Sequence, residues 1–447
     1  MTIHVFAGPS LSGSSVLDLD GVCAHPPIAH GDLYRLRPGT DDSVLIVDGV
    51  YQHTAPVRHK EILDLYAAGV PIYGAASLGA LRACEHQDHG MTGLGTVFAW
   101  YRDGRLISDA DVALTHGDAD VGFRAFTHAL VSIIGVTDRL AAAGHLDPTA
   151  ASRVVELARS LHFSIRTNAA LLASAGEQQL ADSVRLVVDE LRNDRLGDIK
   201  RIDAESAIHD LLAGRVLAPS AGEIEVPLTT YHKEWRLQHT PATADIDGPT
   251  RRQLLAYAQL FLPDFPDRHT AHVLANLRPE YPEVGLAAYG SSPATGYDVF
   301  LPPWLDALSA DELVRRGILA RGELETLDEH DRAIRVLVRT FRRRSGRLVY
   351  DEVPPELDPD MTELTQQSAR LLRLNSQAMR RNPKFHPGDI PTDLIDAKFA
   401  ELWRTDELPT HVLDRGFRSL EEFREQARPY FIAARAFVAM RDEPLKV

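Results

Sequence analysis

Over its first half the chain alternates short apolar runs with segments whose apolar residues recur at helical spacing. IHVFAG (3–8) and SVLIVDG (43–49) are β-branched runs that break at glycine, the pattern of buried strands. HKEILDLYAAG (59–69) puts Ile62, Leu63 and Tyr66 at helical spacing and stops at Gly69, a normal helix end. VPIYG (70–74) then reads as another strand and SLGALRACEH (77–86) as another helix. Strand, helix, strand, helix in that order predicts an α/β layer with parallel pairing. Residues 91–117, with turn chemistry at RDGR (102–105), predict a strand or hairpin excursion. From about 122 to 217 the periodicity is mostly helical, as in ASRVVELARSLHF and LADSVRLVVDELR.

The pattern changes at 228–250, a polar stretch carrying Pro and Gly, where a domain boundary is expected. Beyond it, RRQLLAYAQLFL, ADELVRRGILARGEL, DEHDRAIRVLVRTFRRR and LEEFREQARPYFIAARAFVAM read as amphipathic helices, separated by links such as DEVPPELDPD (351–360). The expected architecture is an α/β N-terminal domain over 1–227, a partly parallel sheet flanked by helices. A mostly α-helical domain of unassigned role follows over 250–447. The RRR run at 342–344 reads as a solvated helix end, where cations suit the dipole.

Composition narrows the function classes. The 447 residues are 44% hydrophobic and 25% charged, as in ordinary globular proteins, and the length suits two domains. A formal net charge of −15 argues against nucleic-acid or anionic-membrane partners, which need a basic face. The start, MTIHVFAGPS, reads as the first strand and not as a signal peptide, and no apolar run reaches membrane-span length. Two cysteines, Cys23 and Cys84, build no disulfide framework and suggest a cytoplasmic setting. Only six lysines stand among 48 basic residues, and Lys60 is the only one before Lys200. Lysine can act as a neutral base where arginine cannot.

The stretch GAASLGALRACE (74–85) surrounds Ser77 with residues that have almost no side chain. Ala76, Ala80 and Ala83 leave one helix face bare, which suits close packing on a sheet, and Ser77 could be a simple N-cap. The other reading is a strand-to-helix turn presenting a nucleophile, with first-turn amides free to hold an oxyanion. In RHKEIL (58–63), Lys60 is either an exposed helix residue or the base of a Ser-Lys pair, which would require a lowered pKa. The turn Gly8-Pro9-Ser10 follows the first strand and offers amides for an anion or oxyanion, with Ser10 as a rival hydroxyl. Asp48 and Gly49 end the next strand, and Asp48 reads by default as a solvated turn carboxylate. Asp109, Asp111 and His116 read as solvated turn residues, and the Cys84–His89 region matches no zinc spacing, so no metal or other cofactor is expected.

Taken in order, FAGPS (6–10), HGD (30–32), VDG (47–49), HKEIL (59–63), GAASLGALRACE (74–85), HGMTGLG (89–95) and DADVALTHG (109–117) resemble the TfuA family. The resemblance covers about the first 170 residues, with Leu78 where that family usually has Met and Cys84 where it usually has Ala. It implies an accessory protein for YcaO-dependent peptide backbone thioamidation. One implied task is hydrolysis of a thiocarboxylated ThiS-like sulfur carrier to release sulfide. The other is a non-catalytic adaptor role, binding YcaO together with precursor peptide or carrier. A family Ser-Lys pair carried onto this chain falls on Lys60 and on Ser77, with Ser10 the alternative. Residues expected at the substrate are Gly8, Pro9, Asp48, Gly49, His59, Gly74, Leu78, Gly79, Arg82 and Glu85. A nucleotide- or phosphate-binding protein using the 8–15 loop is a third reading of the same residues.

Overall fold

The computed structural model describes residues 2–50, 54–176, 178–193, 197–216, 225–280, 309–342, 349–350, 352–354, 357 and 361–442. Arg343 and Arg344 of the RRR run, and six of the ten residues of DEVPPELDPD, lie outside them. The chain divides into two compact units, Met1–Pro227 and Leu228–Val447.

The first unit is built on five short strands, β1 (Ile3–Phe6), β2 (Val22–His25), β3 (Ser43–Ile46), β4 (Ile72–Ala75) and β5 (Thr92–Leu94). They lie in the order β2-β1-β3-β4-β5, every pair parallel. Nine helices accompany them among the described residues: α1 (Asp32–Leu36), α2 (His59–Ala67), α3 (Leu78–His86), α4 (Gly95–Arg102), α5 (Leu130–Ala142), α6 (Pro148–Ser160), α7 (Asn168–Ala173), α8 (Gln178–Asn193) and α9 (Ile199–Leu212). Alternating side chains give the sheet two apolar faces. On one, Ile3, Val5, Leu45, Tyr73 and Ala75 meet Ala204, Ala207, Ile208 and Leu211 of α9. On the other, Phe6, Val44, Ile46 and Ile72 meet Ile62, Leu65 and Tyr66 of α2. A third cluster joins α4, α5, α6 and α8 around Val97, Ile133, Ile134, Val154 and Val188. The parallel sheet and its flanking helices are the α/β architecture that the strand–helix alternation implies.

Two local expectations change. The stretch after β5 is a helix, α4, and not a hairpin. Val97 and Tyr101, four residues apart, are buried together, and Asp203 of α9 accepts a 2.7 Å hydrogen bond from the Val97 amide at the helix start. Gly95, at φ 87°, makes room for that carboxylate, since a Cβ there would stand 2.5 Å from the Asp203 carboxyl carbon. The aromatic run FAWY is strand-like in isolation, and this long-range cap settles it as helix. Strand β2, VCAH, was not anticipated. It is a four-residue edge strand with one exposed and three half-buried positions, so it carries no apolar signature.

The second unit is helical throughout its described residues. Its core gathers Leu254, Tyr257, Phe265, Phe399, Phe417, Phe423 and Tyr430, with aromatic pairs such as Phe399–Phe423 at 5.5 Å in edge-to-face contact. Thr230–His239, within the stretch expected as a boundary, is a helix whose Leu237 belongs to this core. No helix among the described residues is long and apolar enough to cross a membrane.

The closest approach in the first unit is between α3 and the sheet. A Cβ on Gly79 would stand 1.7 Å from the Ile46 carbonyl oxygen, and one on Gly74 would stand 2.0 Å from the Gly79 carbonyl oxygen. Gly79→Ala is therefore expected to destabilise the protein by about 2–4 kcal/mol, because backbone must move on both sides. Gly104→Ala, in open space at φ 74°, should cost only the backbone strain of about 1–2 kcal/mol. Denaturant unfolding of both variants checks this, and equal losses would show that the α3 seat is not the tight point.

Candidate functional site

All strands being parallel, β1, β3 and β4 deliver their carboxyl ends to one edge of the sheet, the position where open α/β folds place ligands. Asp48, just past β3, is not the solvated turn carboxylate expected: it is buried at 3% exposure, held by donors of the loop after β1. Its Oδ2 accepts from the amides of Gly8 and Ser10, both at 2.9 Å, and its Oδ1 accepts from the Ser10 hydroxyl at 2.6 Å. Lys200, also 3% exposed, sits in the first turn of α9 with Nζ 3.8 Å from Asp48 Oδ1 and donating to the Val112 carbonyl at 3.3 Å. A buried carboxylate needs partners of this kind, and here it finds three donors from one loop and a cation from another helix.

Ser77 enters the same edge from β4. The turn is tight: Ala76 has φ 66°, the left-handed region that non-glycine residues avoid, and the Ser77 amide folds back to the Ala75 carbonyl at 2.7 Å. Ser77 occupies the N-cap position of α3, yet its side chain makes no capping hydrogen bond. The expectation of a plain N-cap serine therefore does not describe this residue. Ser77 lines a cavity of ≈ 320 Å³ whose walls also include Pro9, Asp48, Gly49, Leu78, His116 and Lys200. Asp109 and Phe163 also line it, whereas Asp111 turns away to accept from the Ile107 and Ser108 amides and to pair with Arg159.

This geometry redistributes the donors. The Gly8 and Ser10 amides point at Asp48 and Pro9 has none, so the loop read as an oxyanion or phosphate cradle already holds an internal carboxylate. In the first turn of α3, the Gly79 amide goes to Val47 and the Ala80 amide to Ser77. The Leu78 amide is the one first-turn donor beside Ser77 with no acceptor among the described residues.

The remaining expected residues divide into three groups. Gly74 and Gly79 serve the close packing of α3, and Gly49 makes room for the Leu78 side chain, which a Cβ would approach to 2.0 Å. Lys60 lies on α2, is absent from the cavity wall and donates to the Pro227 carbonyl at 2.9 Å. The buried polar residue of HKEIL is instead Glu61, which binds His30 Nδ1 at 2.6 Å and the Gly31 amide at 2.8 Å, tying that block to HGD. His59, Arg82 and Glu85 form a separate cluster across α2 and α3, away from the cavity wall. Arg82 is hydrogen-bonded to Glu85 and stands 3.5 Å from His59 Nε2. His86 packs on His59, ring centroids 4.7 Å apart. Burial, with His59 and Arg82 close by, pushes the His86 pKa down to about 4.

Lys200 is the residue that the sequence reading passed over. A signal was present: Ile199, Asp203, Ala204, Ala207, Ile208 and Leu211 share its buried helix face, so this lysine falls inside an otherwise core-facing stripe. Its distance in sequence from every recognisable block hid it.

Residues 48–167 match the model of the TfuA-like protein family. No curated protein matches the chain. The matched stretch runs from Asp48 through α2, the Ala76-Ser77 turn and the cavity-lining segment around Asp109–His116 to the region after Phe163. Over this stretch of its first unit the chain is thus similar to TfuA-like proteins.

Proposed function

We propose that the first unit hydrolyses the C-terminal thiocarboxylate of a small ThiS-like sulfur-carrier protein and so releases sulfide for a YcaO-type enzyme acting on a precursor peptide. The observation that carries this reading is that Ser77, Asp48 and Lys200 line one cavity at the carboxyl edge of the sheet. Ser77 is the nucleophile and Lys200, in place of Lys60, is its base. Ser10 is less suited, since its hydroxyl is spent on Asp48.

The chemistry needs few parts. Lys200 Nζ takes the Ser77 proton while Oγ bonds to the acyl carbon of the thiocarboxylate. The Leu78 amide, at the positive end of α3, holds the oxyanion. The carbon–sulfur bond then breaks, and sulfur leaves as hydrosulfide with the proton that Lys200 returns. A water molecule attacks the resulting serine ester, giving its proton through Lys200 to Oγ, and the carrier departs with an ordinary carboxylate. Asp48 fixes Nζ and anchors the Gly8-Pro9-Ser10 wall at the same time. The ≈ 320 Å³ cavity that Ser77 lines is of a size to take a slim diglycine-type tail. Two free cysteines, Cys23 and Cys84, suit a reducing cytoplasm.

Hydrolysis of thiocarboxylated carrier, followed by the mass of the carrier, tests the assignment. Ser77→Ala and Lys200→Arg should each lose at least about 10²-fold in rate with circular dichroism unchanged, whereas Lys60→Arg should retain activity. Loss in Lys60→Arg with retention in Lys200→Arg would reverse the choice of lysine.

A reconstituted thioamidation with free sulfide in excess separates hydrolysis from the adaptor role. Ser77→Ala should then support product formation as the wild type does. A continued requirement for Ser77 with sulfide in excess would show that delivery of sulfide is not its task.

A further inference from the structure

Outside the cavity, the edge of the sheet brings together three side chains whose chemistry is unused by the reading above. β1 and β2 pair in parallel with His4 opposite Cys23 and Phe6 opposite His25. Register partners share a sheet face, and residues two apart on one strand do too, so His4, Cys23 and His25 all project from the same side. His4 Nδ1 and His25 Nε2 are 3.0 Å apart, and one ring nitrogen of each histidine and the Cys23 sulfur lie within 4.8 Å of one another. All three residues are half-buried, and none lines the cavity that holds Ser77.

We propose that His4, Cys23 and His25 form a binding site for one divalent transition-metal ion, with zinc as the ion that fits best. Two nitrogens on one tetrahedral zinc, each at about 2.0–2.1 Å, stand about 3.3 Å apart, close to the separation seen here. Two imidazoles and a thiolate are borderline-to-soft donors, which favour zinc or copper over magnesium or calcium. The Asp42 carboxylate acts electrostatically on His4 and adds negative charge on this side. Phe6 stacks on the His25 ring at 4.9 Å and fixes its plane. Three protein ligands leave a fourth position for water.

The physical consequence is a clip on the exposed edge of the sheet. β2 is a four-residue edge strand held through β1 alone. An ion bound to one residue of β1 and two of β2 would tie the strands together through side chains as well as through their ladder. Without an ion, the two histidines can share a single hydrogen bond, and the thiol of Cys23 has no part in it.

Titration of the full-length protein with cobalt(II), followed by zinc displacement, tests the site without any assay of hydrolysis. Cobalt bound here should give thiolate-to-metal charge-transfer absorption saturating at one ion per chain and abolished by zinc. Cys23→Ser should remove that absorption while Cys84→Ser keeps it, and His25→Ala should weaken zinc binding at least about tenfold. Zinc should also raise the thermal midpoint of the wild type and of Cys84→Ser but not of Cys23→Ser. Absence of the thiolate band with cobalt in excess would overturn the proposal. So would an equal band in Cys23→Ser, which would place the ion elsewhere.

Discussion

One buried carboxylate organises the edge of the sheet on which the candidate site stands. Asp48 accepts from two amides and a hydroxyl of the loop after β1 and faces Nζ of Lys200 on α9. It thereby joins three chain segments that are far apart in sequence. Removing one of these partners leaves a buried polar group unsatisfied, which costs about 1–3 kcal/mol and more where it is charged. The arrangement is stable only when complete. A lysine that hydrophobic burial would otherwise exclude is thus kept at the cavity wall.

The second element is the seat of α3. Glycine at 74 and 79 lets the helix start press against β3 and β4 at backbone distance, and the Gly79 amide bonds to Val47, next to Asp48. The turn into this helix takes its strain at Ala76 and not at Ser77. An alanine at positive φ costs about 1–2 kcal/mol, sustained by packing on every side. The seat and the carboxylate meet through the short segment Val47-Asp48, so the position of Ser77 and that of Lys200 are set from the same strand end.

Much of this was legible from residues alone, and the failures have physical causes. β1, β3, β4, α2 and α3 follow from apolar runs and glycine stops, because they are buried on a local period. α4 was misread since its aromatic run favours strand, and only Asp203, more than a hundred residues away, caps it as helix. β2 escaped notice because an edge strand with half-buried polar side chains has no apolar signature. In the site, the small residues around Ser77 stood out in the sequence. The burial of Asp48 did not, because its donors come from the loop after β1 and Lys200 approaches it to 3.8 Å from far along the chain. HKEIL looked like a source of chemistry through Lys60, yet its buried member, Glu61, is a clasp for the His30-Gly31 turn. The helical second unit has its own aromatic core, and no residue in it entered the site reading.

The central claim is that Ser77 becomes covalently acylated by the carrier tail. Acid-quenching the wild-type protein with thiocarboxylated carrier, then digesting it and mapping the adduct by mass, addresses this directly. The account predicts an ester-linked carrier tail on the peptide containing Ser77, absent from Ser77→Ala. An adduct on the peptide containing Ser10, or hydrolysis that continues in Ser77→Ala at the wild-type rate, would contradict it.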